Sequence, residues 1–248
     1  MPAAFATKFS VFITVALLSP CALAEQSQTV SGVRPSAISV GEPGPSSGGP
    51  DAIPEVYKRK RARFDAEPAS YDARHIADWV VVSGDNQQRP FVIIDKVAAK
   101  VFVFDADGRL QRAAPALLGL AERDDDEPGV GDLPLSGIPP EIRTTPAGRF
   151  VANMGRNLKG QDILWVDYAS GLSLHRVVTS NKAERRQERL DSPTSRDNRI
   201  SFGCINVPVS FFDEVVKPAF DGKSGIVYIL PETRSAAGVF GSYSIDAN

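Results

Sequence analysis

A succession of short β-branched and aromatic runs, each closed by Gly, Pro, Asp or Asn, constrains this chain more than any other feature. The runs are Arg89 to Asp95 (RPFVIID), Ala99 to Asp105 (AKVFVFD), Arg109 to Leu118, Gly148 to Met154 (GRFVANM), Asp162 to Tyr168 (DILWVDY), Leu172 to Val178 (LSLHRVV) and Gly225 to Leu230 (GIVYIL). Runs of this length and composition read as strands, and Asp105-Ala106-Asp107-Gly108 reads as the turn of a hairpin. Many short strands separated by turn residues predict a mainly β fold, an antiparallel sandwich or barrel. One or two short helices complete it. Asn206 to Val216 (NVPVSFFDEVV) opens on an N-cap residue and an early proline, with Val207, Phe211, Val215 and Val216 able to share a face. Asn181 to Leu190 (NKAERRQERL) is so charged that it reads as a loop or a short surface helix.

With 248 residues, 42% of them hydrophobic and 23% charged, the chain can bury one core, and one folded domain is expected. A formal charge of −2 with both signs interspersed offers no field to recruit nucleic acid. The first 24 residues have the layout of a secretory signal: Lys8, the apolar run Phe9 to Leu18, and Ala22-Leu23-Ala24 as cleavage site. The run is about half the ~20 residues a membrane span needs. Cleavage after Ala24, no stable membrane insertion thereafter and a place in the periplasm or cell envelope are therefore expected. Pro20 before Cys21 disfavours a lipid-anchor signal. Residues 25–70, rich in Ser, Pro and Gly, read as a disordered spacer, with a basic cluster at Tyr57 to Ala66 near its end. Residues 71–88 form a lead-in, 89–233 the main domain and 234–248 a tail. The acidic run Glu122 to Glu127 lacks the alternating ligand pattern of a calcium loop and reads as a surface loop without metal.

The chain has two cysteines, and signal cleavage removes Cys21. Cys204 is then alone, unable to form an internal disulfide, and must be buried, paired between chains or used as a reactive thiol. It lies in Arg199 to Pro208 (RISFGCINVP), just before the expected helix, whose N-terminal potential would lower a thiol pKa. Gly203 permits close backbone approach, and the N–H groups of Gly203 and Cys204 could hold a developing oxyanion. Of the two histidines, His175 lies on a strand candidate shortly upstream, while His75 lies near the spacer. An imidazole can take a thiol proton and return it to a leaving amine, which makes His175 the candidate general base for Cys204 as nucleophile.

A histidine on a strand followed by Ser201-Phe202-Gly203-Cys204-Ile205-Asn206 resembles the signature of the L,D-transpeptidase catalytic domain, Ser-His-Gly-Cys-hydrophobic-Asn/Arg, at every place but one. Val92 to Asp105 is similar to that family's opening strand pair, and Arg143 to Phe150 (RTTPAGRF) to its Thr-Pro-x-Gly turn. The resemblance spans roughly Arg89 to Leu230. It implies a mainly β domain that acts on peptidoglycan stem peptides as donor and amine acceptor, through a cysteine thioester and without metal or organic cofactor. Hydrolysis of the same thioester would make the protein an L,D-carboxypeptidase. Phe202 stands where the motif has histidine and can neither give nor take a proton. A catalytically silent peptidoglycan-binding protein is the alternative that this departure suggests. The segment between His175 and Cys204 is longer than the family's and carries Arg185, Arg186, Arg189, Arg196 and Arg199. Stem peptides bear carboxylates, which arginine grips bidentately, so Arg199, with Ser201 and Asn206, is expected to contact substrate.

Overall fold

The computed structural model describes residues 60–245, so the signal segment and most of the spacer lie outside the described residues. The strands are β1 (Phe91–Asp95), β2 (Lys100–Phe104), β3 (Leu110–Pro115), β4 (Leu118–Gly119), β5 (Gly148–Arg156), β6 (Asp162–Asp167), β7 (Leu172–Arg176), β8 (Arg199–Ser201), β9 (Ile205–Val207) and β10 (Gly225–Ile229). The helices are α1 (Tyr71–Ser83), α2 (Arg186–Leu190), α3 (Val209–Phe211), continued by a π-helical turn (Phe212–Val216) into α4 (Lys217–Phe220), and α5 (Ala236–Phe240). The fold is mainly β, as the runs predict. One sheet holds eight strands in the order β3-β2-β1-β10-β5-β6-β7-β9, and β4 pairs separately with β8.

The sheet is not wholly antiparallel. β1 and β10 pair in parallel, Phe91 opposite Ile226, and so do β7 and β9, Leu174 opposite Ile205. A parallel pair cannot be joined by a tight turn and needs a long crossover. For β7 and β9 that crossover is the Arg-rich segment, whose Leu190 packs with Leu117 and Val177 in a small cluster of its own.

The central strands are buried on both faces, which accounts for their unbroken apolar runs. Val92, Ile94, Val101, Val103, Val227 and Ile229 face one cluster with Phe211, Phe212 and Phe220 of the α3–α4 segment. Phe91, Ile93, Phe102, Phe104, Ile226 and Tyr228 face another, closed by Ala73, Ile76, Ala77 and Val80 of α1. α1 itself escapes a reading by periodicity because Val80-Val81-Val82 mimics a strand. Ser70 caps its first turn through Ala73 N–H, and Gly84, at φ 71°, ends it. Phe64 from the end of the expected spacer, and Ala236 and Ile245 from the expected tail, join this second cluster.

The helix expected from Asn206 begins later, at Val209 after Pro208. Ile205 and Val207 are β-branched and are drawn into pairing with β7 instead. The acidic run is likewise not wholly on the surface. Asp124 is buried and accepts from Lys96 Nζ at 2.8 Å and from the N–H groups of Glu232, Thr233 and Arg234. Lys96, also buried, reaches Arg123 O, Thr145 O and Glu232 as well. Charges taken out of water must be paired and hydrogen-bonded in this way.

Candidate active site

Parallel pairing of β7 with β9 puts His175 opposite Asn206 and brings the turn Phe202-Gly203-Cys204 against Ser173 and His175. Successive side chains of a strand alternate, so Ser173 and His175 share a face. Both reach the thiol. The Ser173 hydroxyl donates to Cys204 Sγ at 3.5 Å, and His175, two residues along on the same face, stands beside that thiol. Cys204 Sγ also lies 3.6 Å from the carbonyl oxygen of Gly171. His175 Nδ1 is 2.7 Å from the Arg176 carbonyl, which can only accept. Nδ1 therefore carries a proton, and Nε2 is the nitrogen left for the thiol.

Burial acts against both charged forms, pushing the thiol up and the imidazole down. The hydrogen bond and charge attraction between the two outweigh it, helped at Cys204 by the Ser173 hydroxyl and N–H and at His175 by the Arg176 carbonyl. The thiol ends below its ordinary pKa and the imidazole above its own, with Arg186 opposing the latter. The pair thus leans toward thiolate and imidazolium. The helix invoked for this from sequence is displaced by β9, and Ser173, absent from the sequence reading, takes its place. Its signal was available: i and i+2 on one strand.

The turn that carries Cys204 is braced from behind. Gly203 has φ 133°, and a Cβ there would meet Thr144 O at 2.6 Å, so no other residue fits without displacement. Buried Thr145 donates its hydroxyl to Gly203 O at 2.6 Å and accepts from Gly119 N–H at 2.8 Å. The Thr-Pro-x-Gly turn is thereby tied to the cysteine turn. Ser201 donates to Cys204 O at 2.7 Å and accepts from Gly203 N–H at 3.1 Å. Asn206 Nδ2 donates to Cys204 O at 3.0 Å and its Oδ1 accepts from Arg186 at 2.8 Å.

These bonds engage several of the residues expected at the site. Ser201 and Asn206, expected to contact substrate, are buried, with their polar atoms engaged by the cysteine turn and, for Asn206, by Arg186. Gly203 N–H is held by Ser201, which leaves Cys204 N–H, with no partner among the described residues, as the oxyanion donor available. Arg199 is paired with Glu232 and donates to Lys96 O at 3.0 Å, anchored in the buried ionic cluster. Arg186 and Arg189 hold the crossover to itself, through Glu184 and the carbonyls of Glu184 and Asp197. Phe202 packs under Arg143, whose guanidinium carbon lies 4.1 Å from the ring centroid.

Two cavities flank the Cys204–His175 pair. One, of about 110 Å³, is lined by Cys204, Phe202, Thr144, Asp126, Ser170 and the apolar Val130, Leu133, Leu135, Ile138 and Leu172, among others. The other, of about 290 Å³, is lined by His175, Ser173, Trp165, Asn157 and Gln161 among others. Among the described residues no group of three or more His, Cys, Asp or Glu could hold a metal, and no helix is long and apolar enough to cross a membrane.

No family model matches the chain, and no curated protein matches it. Among solved structures it is similar to the helical cell shape determining protein Pgp2 from Campylobacter jejuni, at 13% identity over 59% of this chain and 49% of that one, TM-score 0.39. The catalytic domain of an L,D-transpeptidase from E. faecium is 16% identical over 58% of this chain and 98% of its own, TM-score 0.34. An L,D-transpeptidase from Mycobacterium smegmatis is 17% identical over 57% and 58%, TM-score 0.33. The chain spans about half the length of the Campylobacter protein it matches. These likenesses are faint, and the chemistry of the site rests on its own residues.

Proposed function

We propose that this chain is an exported cysteine acyltransferase of the L,D-transpeptidase type, acting on peptidoglycan stem peptides in the periplasm or cell envelope. The observation that carries the proposal is the pairing of β7 with β9, which sets His175, its Nδ1 held by the Arg176 carbonyl, beside Cys204 between two cavities. Cys204 Sγ attacks the carbonyl carbon of the third stem residue, and its proton passes to His175 Nε2. The carbonyl π pair moves onto oxygen, held by Cys204 N–H. When the C–N bond to the terminal D-alanine breaks, His175 returns the proton to the departing amine, leaving a thioester. An amine of a second stem then attacks that thioester, His175 takes its proton, the C–S bond breaks and the thiol is restored.

Phe202 does not remove the base, because the imidazole in contact with the thiol is His175 and the 202 side chain serves as a platform for Arg143. The test is intact-protein mass after incubation with a defined tetrapeptide stem. An adduct of the stem less its D-alanine on wild type, absent from Cys204→Ala, is expected. Its loss only on adding an amine marks transfer, and its loss in buffer marks the carboxypeptidase. No adduct with either amine present or absent, from a thiol that alkylates normally, would refute the proposal.

A further inference from the structure

The acyl-transfer chemistry leaves an aromatic pair beside the thiol unused. Leu164 and Val166 of β6 point into the core, so Trp165 between them lies on the outer face of the sheet. Trp165 stands directly opposite Ser173, which donates to Cys204 Sγ, and it lines the cavity that Ser173 and His175 share. Its indole rests on the backbone of β5, because a Cβ on Gly155 would meet Trp165 Cδ1 at 2.6 Å and Nε1 at 3.0 Å. A bulge after Trp165 shifts the register of β6 against β7 and brings Tyr168, 80% exposed, to the same side. The two rings meet edge to face with their centroids 5.0 Å apart.

The polar lining narrows what this cavity can hold. Apart from His175, its ionisable side chains are already matched: Asp162 accepts from Lys217 Nζ at 2.7 Å, and Arg176 donates to Asp213 at 2.9 Å. Gln161 Oε1 accepts from Asn157 at 2.9 Å, whereas Gln161 Nε2 and Trp165 Nε1 have no partner among the described residues. Both free groups are donors. The fitting occupant is therefore neutral, apolar on one face and supplied with acceptor oxygens at its edge. An N-acetylated pyranose has this character, with axial C–H bonds on its ring face and hydroxyls and an amide carbonyl around it. At about 290 Å³ the cavity has the room of roughly ten waters, enough for one such ring.

The reach agrees. Neighbouring strands lie about 4.8 Å apart, which puts the indole within about 10 Å of Cys204 Sγ. A stem extends about 3.4 Å per residue, so the sugar joined to its first residue lies roughly 10 Å from the carbonyl of its third.

We propose that Trp165, with Tyr168 and Gln161, forms a subsite for the N-acetylated sugar ring that carries the donor stem. This rests on the acyl-transfer reading above and makes the glycan, as well as the peptide, a determinant of which stems react. The ring face stacks on the indole, and Trp165 Nε1 and Gln161 Nε2 donate to oxygens at its edge.

The test compares thioester formation by the full chain with two donors that differ only in the ring: N-acetylmuramyl-tetrapeptide and lactoyl-tetrapeptide. Wild type is expected to acylate from the muramyl donor with kcat/KM about 10-fold above the lactoyl donor, the worth of one good stacking contact. Trp165→Ala should bring that ratio to within about 2-fold of unity, while Trp165→Phe, which keeps a ring, and Gln161→Ala should lower it in part. Because each ratio is internal to one variant, a general loss of folding does not imitate the result. A wild-type ratio near unity, or a muramyl preference that survives Trp165→Ala, overturns this inference while leaving acyl transfer intact. Absence of any thioester with either donor strikes the acyl-transfer reading, and this inference with it.

Discussion

Replacing Thr145 by valine changes little in shape and removes one oxygen that serves two turns at once. In the native fold that oxygen accepts from Gly119 N–H and donates to Gly203 O, both inside the protein, and Thr145 is fully buried. Valine leaves one buried donor and one buried acceptor without partners. Each such group costs about 1–3 kcal/mol, so Thr145→Val should destabilise by roughly 2–5 kcal/mol. For a domain of this size that is a fall in Tm of about 5–15 °C. Thr145→Ser keeps the oxygen, loses only a methyl, and should cost about 1 kcal/mol. The assay is urea unfolding of both variants beside wild type, with Cys204 alkylation followed on the folded proteins. Thr145→Val should also blunt the difference in alkylation rate between wild type and His175→Gln, because the Gly203 carbonyl that fixes the cysteine turn is released. A Thr145→Val protein as stable as Thr145→Ser, or one that keeps the full His175 effect, would refute the claim that this hydroxyl braces the nucleophile.

Other expectations are simpler. The pH at which iodoacetamide alkylation of Cys204 reaches half its maximum should lie below that of a free cysteine in wild type. It should move upward in His175→Gln, since the hydrogen bond and charge that lower the thiol pKa are lost. Asp124 is held well below the usual carboxylate range, against burial, by Lys96, Thr233 and backbone donors. A depressed folded-state pKa gives stability that is present above the unfolded value and lost below it. Wild type should therefore lose stability steeply as pH falls below about 4, and Asp124→Asn, weaker at neutral pH, should show a shallower loss in acid urea titrations. Ile76→Ala, which opens a cavity under α1 at a fully buried side chain, should cost about 2–5 kcal/mol by the same unfolding assay without altering the pH profile of alkylation.

The strands were legible because their residues are forced to be apolar on two faces, and a run such as Phe91 to Ile94 can hardly be anything else. Cys204 and His175 were legible for a different reason: there are few residues of either type to choose from. What the sequence hid was mainly the work of polar side chains. Arg199 reads as a substrate contact and Asp124 as a surface charge, yet each finds its partner far along the chain, in Glu232 and Lys96. No local pattern marks such a pair. Asn206 looks like a helix cap, but the cross-strand pairing of its β-branched neighbours with β7 outweighs a capping preference worth about 1 kcal/mol.

The parallel pairing of β1 with β10 makes the chain's last strand the centre of its sheet, between β1 and β5. β1 cannot gain its second neighbour before the segment around Gly225 to Ile229 has been synthesised. Contacts this distant in sequence are slow to form. β7 and β9 join that sheet through β6 and β5, so the sheet that positions Cys204 beside His175 is complete only once β10 is in place. A fragment ending at residue 224 is expected to remain unfolded, its thiol alkylating with the pH profile of a free cysteine, and a folded fragment with the wild-type profile would contradict this.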